Sequence, residues 1–335
     1  MPLNVDSKIS NCYHNDQNVL YPFLSAQVLA RRAVWRVCPI CLRSSLISST
    51  FAVIGGSEAY NLLMSNKLNG ERIGQIETPF GESQAIFKID AEYGSFLFLS
   101  RHGEKGYSRT APYVNYRANI YALKEQGIKQ IISWSGPGAI NTHYKIGQYI
   151  VVDDLIDETK NREYTFFKDK GIGFIRQSPV FCPSLRLSII DSLKSLKLDY
   201  AVSGTYVCTQ GPRLETPAEI RKYASFGSDL VGMTLIPEVF LAKELEMCYA
   251  SICYVTNYAE GIIDSEYRPG ELFEGLSSDK DRGAVANSVS RFPVIIAALA
   301  GAINKHNVNC KCQLSMERYK KNGTIGDDWH EWVSS

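Results

Sequence analysis

The sequence carries almost no net charge: 36 Lys and Arg against 35 Asp and Glu leave +1 over 335 residues. Without a basic stripe there is nothing to hold a phosphate backbone or an anionic lipid surface, so neither nucleic acid nor membrane is expected as a partner. Long apolar runs are missing too. Polar residues interrupt each one short of membrane-spanning length, and no transmembrane helix is expected. No segment repeats at a fixed period, which excludes a solenoid or propeller. Nine cysteines, mostly inside apolar segments, are too sparse for a disulfide scaffold, so reduced thiols in a cytoplasmic protein are expected. The lone CxxC, Cys38-Pro-Ile-Cys41, has no second CxxC and no HxxxH to complete a zinc site, and no metal is expected from it.

What is present is the composition of a globular protein, 45% hydrophobic and 21% charged. Residues 1–49 stand apart as an N-terminal extension, Arg-rich and acid-poor around Arg31, Arg32, Arg36 and Arg43. A targeting peptide and a disordered arm both fit that bias. The ordered domain is expected over 50–309. Beyond it, 310–335 is polar and aperiodic and reads as a tail, with Cys310 and Cys312 as two free thiols.

Within 50–309, β-rich runs alternate with amphipathic helical stretches, which implies an α/β domain with a central sheet covered on both faces. Several runs end in polar or glycine-rich turns. Phe51-Ala52-Val53-Ile54 leads into Gly55-Gly56-Ser57, whose backbone amides and hydroxyl suit a phosphate. The run 94–100 is followed by Arg101-His102, and a guanidinium there suits a bidentate grip on an oxyanion. A strand expected over 129–133 ends in Ser135-Gly136-Pro137-Gly138, and one over 249–255 ends at Thr256-Asn257. Tyr116, Ile120 and Leu123 share a helix face with Gly127 as its stop. A second helix opens at Ser184. A long one near 280–305 carries Val285, Val289, Phe292, Ile296, Leu299 and Ile303 on one stripe, with a kink expected at Pro293.

The densest grammar lies in 204–238. The apolar run 200–208 reads as one buried strand and enters the turn Gln210-Gly211-Pro212-Arg213. A helix follows, with Thr216 as N-cap, Pro217 at its first position and Glu219 closing a capping box. Leu230-Val231-Gly232-Met233-Thr234 precedes another helix opened by Pro237-Glu238. Ligands of open α/β sheets bind outside strand carboxyl ends, which makes Glu215 and Thr234 candidate contacts. Local grammar alone would make them helix caps, but five polar turns at strand ends would converge on one crevice.

Ile54-Gly55-Gly56-Ser57, Thr78-Pro79-Phe80-Gly81, Leu99-Ser100-Arg101-His102-Gly103, Val114-Asn115-Tyr116-Arg117-Ala118-Asn119 and the stretch 204–258 together resemble the trimeric purine nucleoside phosphorylases. The similarity is to the 5′-methylthioadenosine and S-methyl-5′-thioinosine phosphorylase branch. That resemblance implies an α/β three-layer sandwich with a mixed, partly barrelled central sheet, and a homotrimer. It also implies phosphorolysis of a purine nucleoside, with inorganic phosphate as co-substrate and no metal or other cofactor. By resemblance, phosphate falls to Ser57, Arg101, His102, Ser135, the Gly136 backbone and Thr234. Met233 lies beneath the ribose, and the base falls to Glu215 and Asn257. Asn257, Glu215 and His102 are then the expected catalytic residues. Leu214 stands where the methylthioadenosine branch has an aromatic, and Phe174 is implied as a neighbouring subunit's contribution to the 5′ end.

Asn257 and Glu215 look like the pair used for 6-oxopurines. Glu215 can accept from N1–H, and the Asn257 amide can donate to O6 and contact N7, whereas a 6-aminopurine sets a bare acceptor against an ionised Glu215. The expected substrate is therefore S-methyl-5′-thioinosine, or inosine or guanosine. A 5′-methylthioadenosine phosphorylase is the alternative, with Glu215 protonated or displaced. A non-catalytic nucleoside-binding protein of the same fold is the alternative of another class, favoured if Glu58 points into the phosphate turn; Glu58 is expected to face solvent. A nucleosidase would have no use for Arg101 and His102.

Overall fold

In the computed structural model the described residues are 51–65, 70–91, 94–104, 106–264, 269–270, 278–303 and 310–333. The N-terminal extension and its Cys38-Cys41 pair lie outside them. Strand alternation builds the layers. Along β1 (Phe51–Gly55), Ala52 and Ile54 enter one core while Phe51 and Val53 enter the other. The chain continues through α1 (Ser57–Met64), β2 (Gly70–Gly74), β3 (Glu77–Thr78), β4 (Gly81–Glu82), β5 (Ile86–Ala91) and β6 (Gly94–Ser100). Helix α2 (Tyr116–Glu125) leads to β7 (Gln130–Ser135), β8 (Gly138–Ala139), β9 (Tyr149–Val151) and β10 (Asp154–Glu158). Next come α3 (Pro183–Ser195), β11 (Tyr200–Ala201), β12 (Thr205–Thr209), α4 (Pro217–Ser225) and β13 (Leu230–Gly232). Then follow α5 (Leu235–Glu244), β14 (Cys248–Tyr254), β15 (Asn257–Tyr258), α6 (Asp279–Ser290), α7 (Phe292–Ala302) and α8 (Glu317–Lys321).

The strands form an eight-stranded sheet in the order β11-β9-β14-β7-β1-β6-β5-β2, a five-stranded sheet β10-β12-β13-β8-β15, and the small ribbon β3-β4. Parallel pairing links β6, β1, β7 and β14, while β9 and β5 join antiparallel, so the large sheet is mixed. Among the described residues neither sheet closes on itself. The chain passes from large sheet to small at β7→β8, β9→β10, β11→β12 and β14→β15, and the last crossing is only Val255-Thr256.

Helices cover both faces of the large sheet. Ile120 and Leu123 of α2 and Val239 and Leu241 of α5 pack with Ile54, Ile131 and Tyr249. On the other side Leu185 and Ile189 of α3 and Phe292, Ile296 and Leu299 of α7 pack with Val53, Trp134 and Ile252. Each such fully buried aliphatic or aromatic side chain contributes roughly 1.5–3 kcal/mol. This is the expected three-layer α/β architecture.

Four expectations need correction. The run 200–208 is not one strand: β11 and β12 belong to different sheets, with Val202 and Ser203 exposed between them. Hydrophobicity signals burial but not which sheet supplies the partner. The helix opening near Ser184 begins at Pro183, with Cys182 as N-cap. The long C-terminal helix breaks at Arg291, and Pro293 falls in the first turn of α7; a residue without an N–H opens a helix more readily than it continues one. Counted through that break, Asp279–Ala302 has 24 residues and a mean hydropathy of 1.4 in an 18-residue window, enough in length and composition to cross a membrane. Reading by uninterrupted runs missed this. The apolar stripe packs inward, with Phe292 edge-on to Trp134 at 4.7 Å. Finally, 310–333 is not a featureless tail. Met316, Tyr319 and Trp332 are buried in the core, the Ser315 hydroxyl donates to the Lys243 carbonyl at 2.6 Å, and Lys320 pairs with Glu246 at 2.7 Å.

The capping box of α4 is present as read. Glu219 N donates to Thr216 Oγ1 at 3.2 Å, and Thr216 N donates to Glu219 Oε2 at 2.8 Å. Thr216→Ala removes the first bond and should lower stability by about 1 kcal/mol, read as a shift in the urea midpoint at unchanged slope. No shift would mean that tertiary packing alone holds the helix start.

Candidate active site

The carboxyl ends of β14, β7, β1 and β6 lie side by side in the large sheet. They deliver Thr256, Ser135-Gly136, the Gly55-Gly56 turn and Arg101-His102 to one edge. At Gly55 an added Cβ would stand 2.6 Å from Ala59 Cβ and 2.8 Å from the Phe98 ring, so only glycine lets α1 start this close to β6. At Gly56 the nearest atom to such a Cβ is Arg101 Nη1, 4.0 Å away, and the turn stays open. Ser57 is the first residue of α1; its side chain is outside the described set. Glu58 is exposed, as expected.

Arg101 is 1% exposed, and its fork is engaged by the protein. Nε and Nη2 donate to the two oxygens of Glu238 at 2.7 and 3.0 Å, Nη2 also reaches Ser133 Oγ, and Nη1 donates to the Trp134 carbonyl at 3.1 Å. Tyr249 donates to Glu238 Oε2 at 2.8 Å. Burial alone would lower the guanidinium pKa, but Glu238 outweighs it and raises the value, keeping the group charged. The bidentate grip expected for a substrate oxyanion is thus made on Glu238. Of the five guanidinium N–H groups, one on Nη1 remains for the turn above it.

His102 Nδ1 lies 2.8 Å from the Arg109 carbonyl. A carbonyl only accepts, so Nδ1 carries the proton and neutral His102 keeps an acceptor at Nε2. Burial first and Arg101 second lower its pKa from 6.5 to about 4. Between these values the unfolded chain binds a proton that the fold does not. The stability linked to His102 is therefore complete above pH 6.5 and is lost as pH falls toward 4. His102→Gln should flatten that part of the stability–pH curve. Urea midpoints at pH 7.5 and 5 test this, and parallel curves for the two proteins would overturn the assignment.

Ser135 Oγ and Thr234 Oγ1 are 3.4 Å apart and buried, joining the edge of the large sheet to the end of β13. A Cβ on Gly136 would meet Thr256 Cγ2 at 2.8 Å and the Tyr254 ring at 3.0 Å, which leaves only the backbone to face a ligand there. The small sheet supplies the rest. Since β8 runs antiparallel to β13 and parallel to β15, the starts of β8 and β15 share an edge with the ends of β12 and β13. Asn257 is therefore at the beginning of its own strand.

Buried Asn257 accepts from the Thr256 hydroxyl at 2.7 Å through Oδ1 and donates to the Tyr258 carbonyl at 2.8 Å through Nδ2. Glu215 is also buried, and its Oε1 accepts from Thr209 Oγ1 at 2.5 Å. Burial raises its pKa, with the Thr209 bond opposing. A cavity of about 310 Å³ opens beside it, lined in part by Thr209, Gln210, Gly211 and Arg213. Met233 underlies this region, its sulfur 2.5 Å from where a Gly211 Cβ would stand. Leu214 is half-buried, whereas Phe174 is 82% exposed, with its N–H on Tyr319 of the C-terminal segment.

Sequence reasoning missed Glu238 as the partner of Arg101 and missed Arg162 altogether. The buried Arg162 guanidinium donates to the carbonyls of Thr209, Gln210, Met233 and Ile236, fastening the two segments that carry Glu215 and Thr234. It comes from the loop between β10 and α3, where no periodicity marks it.

A profile of the phosphorylase superfamily matches residues 50–288. A 6-oxopurine nucleoside phosphorylase of Pyrococcus furiosus is 39% identical over 251 residues, 73% of this chain and 92% of that protein. A probable S-methyl-5′-thioinosine phosphorylase of Methanothermobacter thermautotrophicus is 40% identical over 229 residues, 68% of this chain and 79% of its own length. Among solved structures, a methylthioadenosine phosphorylase from an antarctic soil metagenomic library superposes with a TM-score of 0.72 at 28% identity, covering 85% of this chain and 97% of that one.

Proposed function

Because the chain belongs to the phosphorylase superfamily, we propose that it cleaves the N-glycosidic bond of a 6-oxopurine nucleoside with phosphate. The substrate is S-methyl-5′-thioinosine, or inosine or guanosine, and the products are free purine and a pentose 1-phosphate. The observation that carries this reading is that Asn257 and Glu215, both buried and each held by a hydrogen bond, stand on the same edge of the small sheet. Asn257 is fixed by Thr256 so that its Nδ2 remains a donor, and Glu215 is fixed by Thr209 through Oε1, which leaves Oε2 to accept. A 6-oxopurine matches both, offering O6 or N7 to Asn257 and N1–H to Glu215.

Departure of the base leaves positive charge on the ribose and negative charge on the purine. Asn257 stabilises the departing base, and phosphate bound at Ser57, Arg101, His102, Ser135, the Gly136 backbone and Thr234 attacks the anomeric carbon from the other side. Met233 supports the sugar between them. Neutral His102, with an acceptor at Nε2, suits a protonated phosphate oxygen.

Burial of Glu215 favours a second reading. Burial disfavours the charged carboxylate, with the Thr209 bond opposing, and a protonated Glu215 would donate to N1 of 5′-methylthioadenosine. Methylthioinosine, methylthioadenosine and inosine, each assayed with and without phosphate, separate the cases. Phosphate-dependent turnover of the 6-oxopurines is expected. Turnover without phosphate removes the phosphorylase reading, and binding without turnover leaves a nucleoside-binding protein. We further propose a cytoplasmic homotrimer in which the exposed Phe174 meets a neighbour's site; light scattering checks the assembly.

A further inference from the structure

Four cysteines from three separate parts of the chain meet at one point. Cys182 is the N-cap of α3, Cys248 opens β14, and Cys310 and Cys312 begin the C-terminal segment. Their Sγ atoms all lie within 4.8 Å of one another, the Cys248–Cys310 pair at 3.5 Å. All four are free thiols, two buried and two half-buried. A tetrahedral zinc with Zn–S bonds of about 2.3 Å requires sulfurs about 3.8 Å apart, and these separations bracket that figure.

We propose that Cys182, Cys248, Cys310 and Cys312 bind one zinc ion as a closed tetrathiolate site that clips the C-terminal segment to the core. The backbone holds two of the ligands in place: Cys182 N donates to the Tyr249 carbonyl at 2.8 Å, and Cys248 N to the Lys129 carbonyl at 2.9 Å. The Cys-Lys-Cys turn brings the other two from outside, and Cys312 starts a 3-10 turn. Four thiolates around a divalent ion leave an excess negative charge. Lys243 stands beside the C-terminal segment: its carbonyl accepts from the Ser315 hydroxyl, and its ammonium donates to the carbonyls of Arg176 and Pro179. A soft, all-sulfur, four-coordinate donor set selects zinc over harder cations. The consequence is structural. Residues 310–333 bury Met316, Tyr319 and Trp332 and contact the 170–174 loop through Tyr319 and the Glu331 carbonyl. The expectation of no metal rested on the resemblance and on the spacing of the one CxxC, whereas these ligands are spread from 182 to 312.

The full chain, expressed in zinc-supplemented medium and purified with a phosphine reductant and no chelator, should contain about one zinc per chain by elemental analysis. Cys310→Ser/Cys312→Ser should lose it, and Cys38→Ser/Cys41→Ser should keep it. Should the serine pair fail to fold, two other measurements decide. Cobalt-substituted wild type should show the intense visible bands of a tetrahedral thiolate site, and Cys312→His should retain metal with shifted bands. A zinc chelator should lower the Tm of wild type. Metal-free protein with all four thiols titratable overturns the proposal, as does a disulfide among the four in unreduced peptides. Zinc that disappears with Cys38 and Cys41 overturns it as well.

Discussion

Glu238→Gln is expected to destabilise the protein by about 3–5 kcal/mol, the range for removing one partner of a buried ion pair. Arg101 and Glu238 are each 1% exposed. Glutamine keeps the shape but loses the charge, leaving the buried guanidinium facing an amide and the carbonyl of Trp134. Its NH2 group would also confront either Nε or Nη2 where a carboxylate oxygen now accepts. Tyr249 would lose its charged acceptor as well. The double substitution Arg101→Met/Glu238→Leu should be far milder, because an apolar pair of similar volume removes both desolvation costs. Urea unfolding of the three proteins measures this. A single variant as stable as the double one would mean that the pair is hydrated in solution. If Arg101 also meets phosphate, the double variant should bind phosphate poorly while remaining folded.

The second large effect concerns the base. Asn257→Ala should lower kcat by about 10²–10³, the cost of deleting one donor at a site of developing negative charge. Asn257→Asp is more informative. It keeps the acceptor that receives the Thr256 hydroxyl but has nothing to donate to the Tyr258 carbonyl or to O6. Turnover of 6-oxopurine nucleosides should fall more than that of 6-aminopurine nucleosides, so the ratio of their kcat/KM values should move toward the amino substrates. A ratio that does not change would dissociate Asn257 from base selection, whatever happens to the absolute rates.

The legibility of the site followed the range of the interactions involved. Thr216 and Glu219 were readable because a capping box joins residues three apart, and geometry at that distance is set by the helix itself. The turns at Gly55-Gly56, Arg101-His102 and Ser135-Gly136 were readable because an apolar run followed by polar residues marks a strand end. Asn257 was marked as a candidate for the same reason. Its position at the start of β15 was not, because strand direction in the second sheet depends on pairing with β8.

What the sequence by itself determined is the layered α/β architecture, the capped start of α4 and the set of polar turns at strand ends. Alternation and capping are properties of neighbouring residues. Tertiary structure alone decided that 200–208 divides between two sheets, that Glu238 takes the fork of Arg101 across 137 positions, and that Arg162 fastens the ends of β12 and β13. It also decided that thiols at 182, 248, 310 and 312 share one point. These contacts join residues that no local period relates. Parallel register sets the ends of β6, β1, β7 and β14 on one edge of the large sheet, while pairing in the smaller sheet sets the ends of β12 and β13 beside the start of β15; the thiols meet elsewhere, at the start of β14.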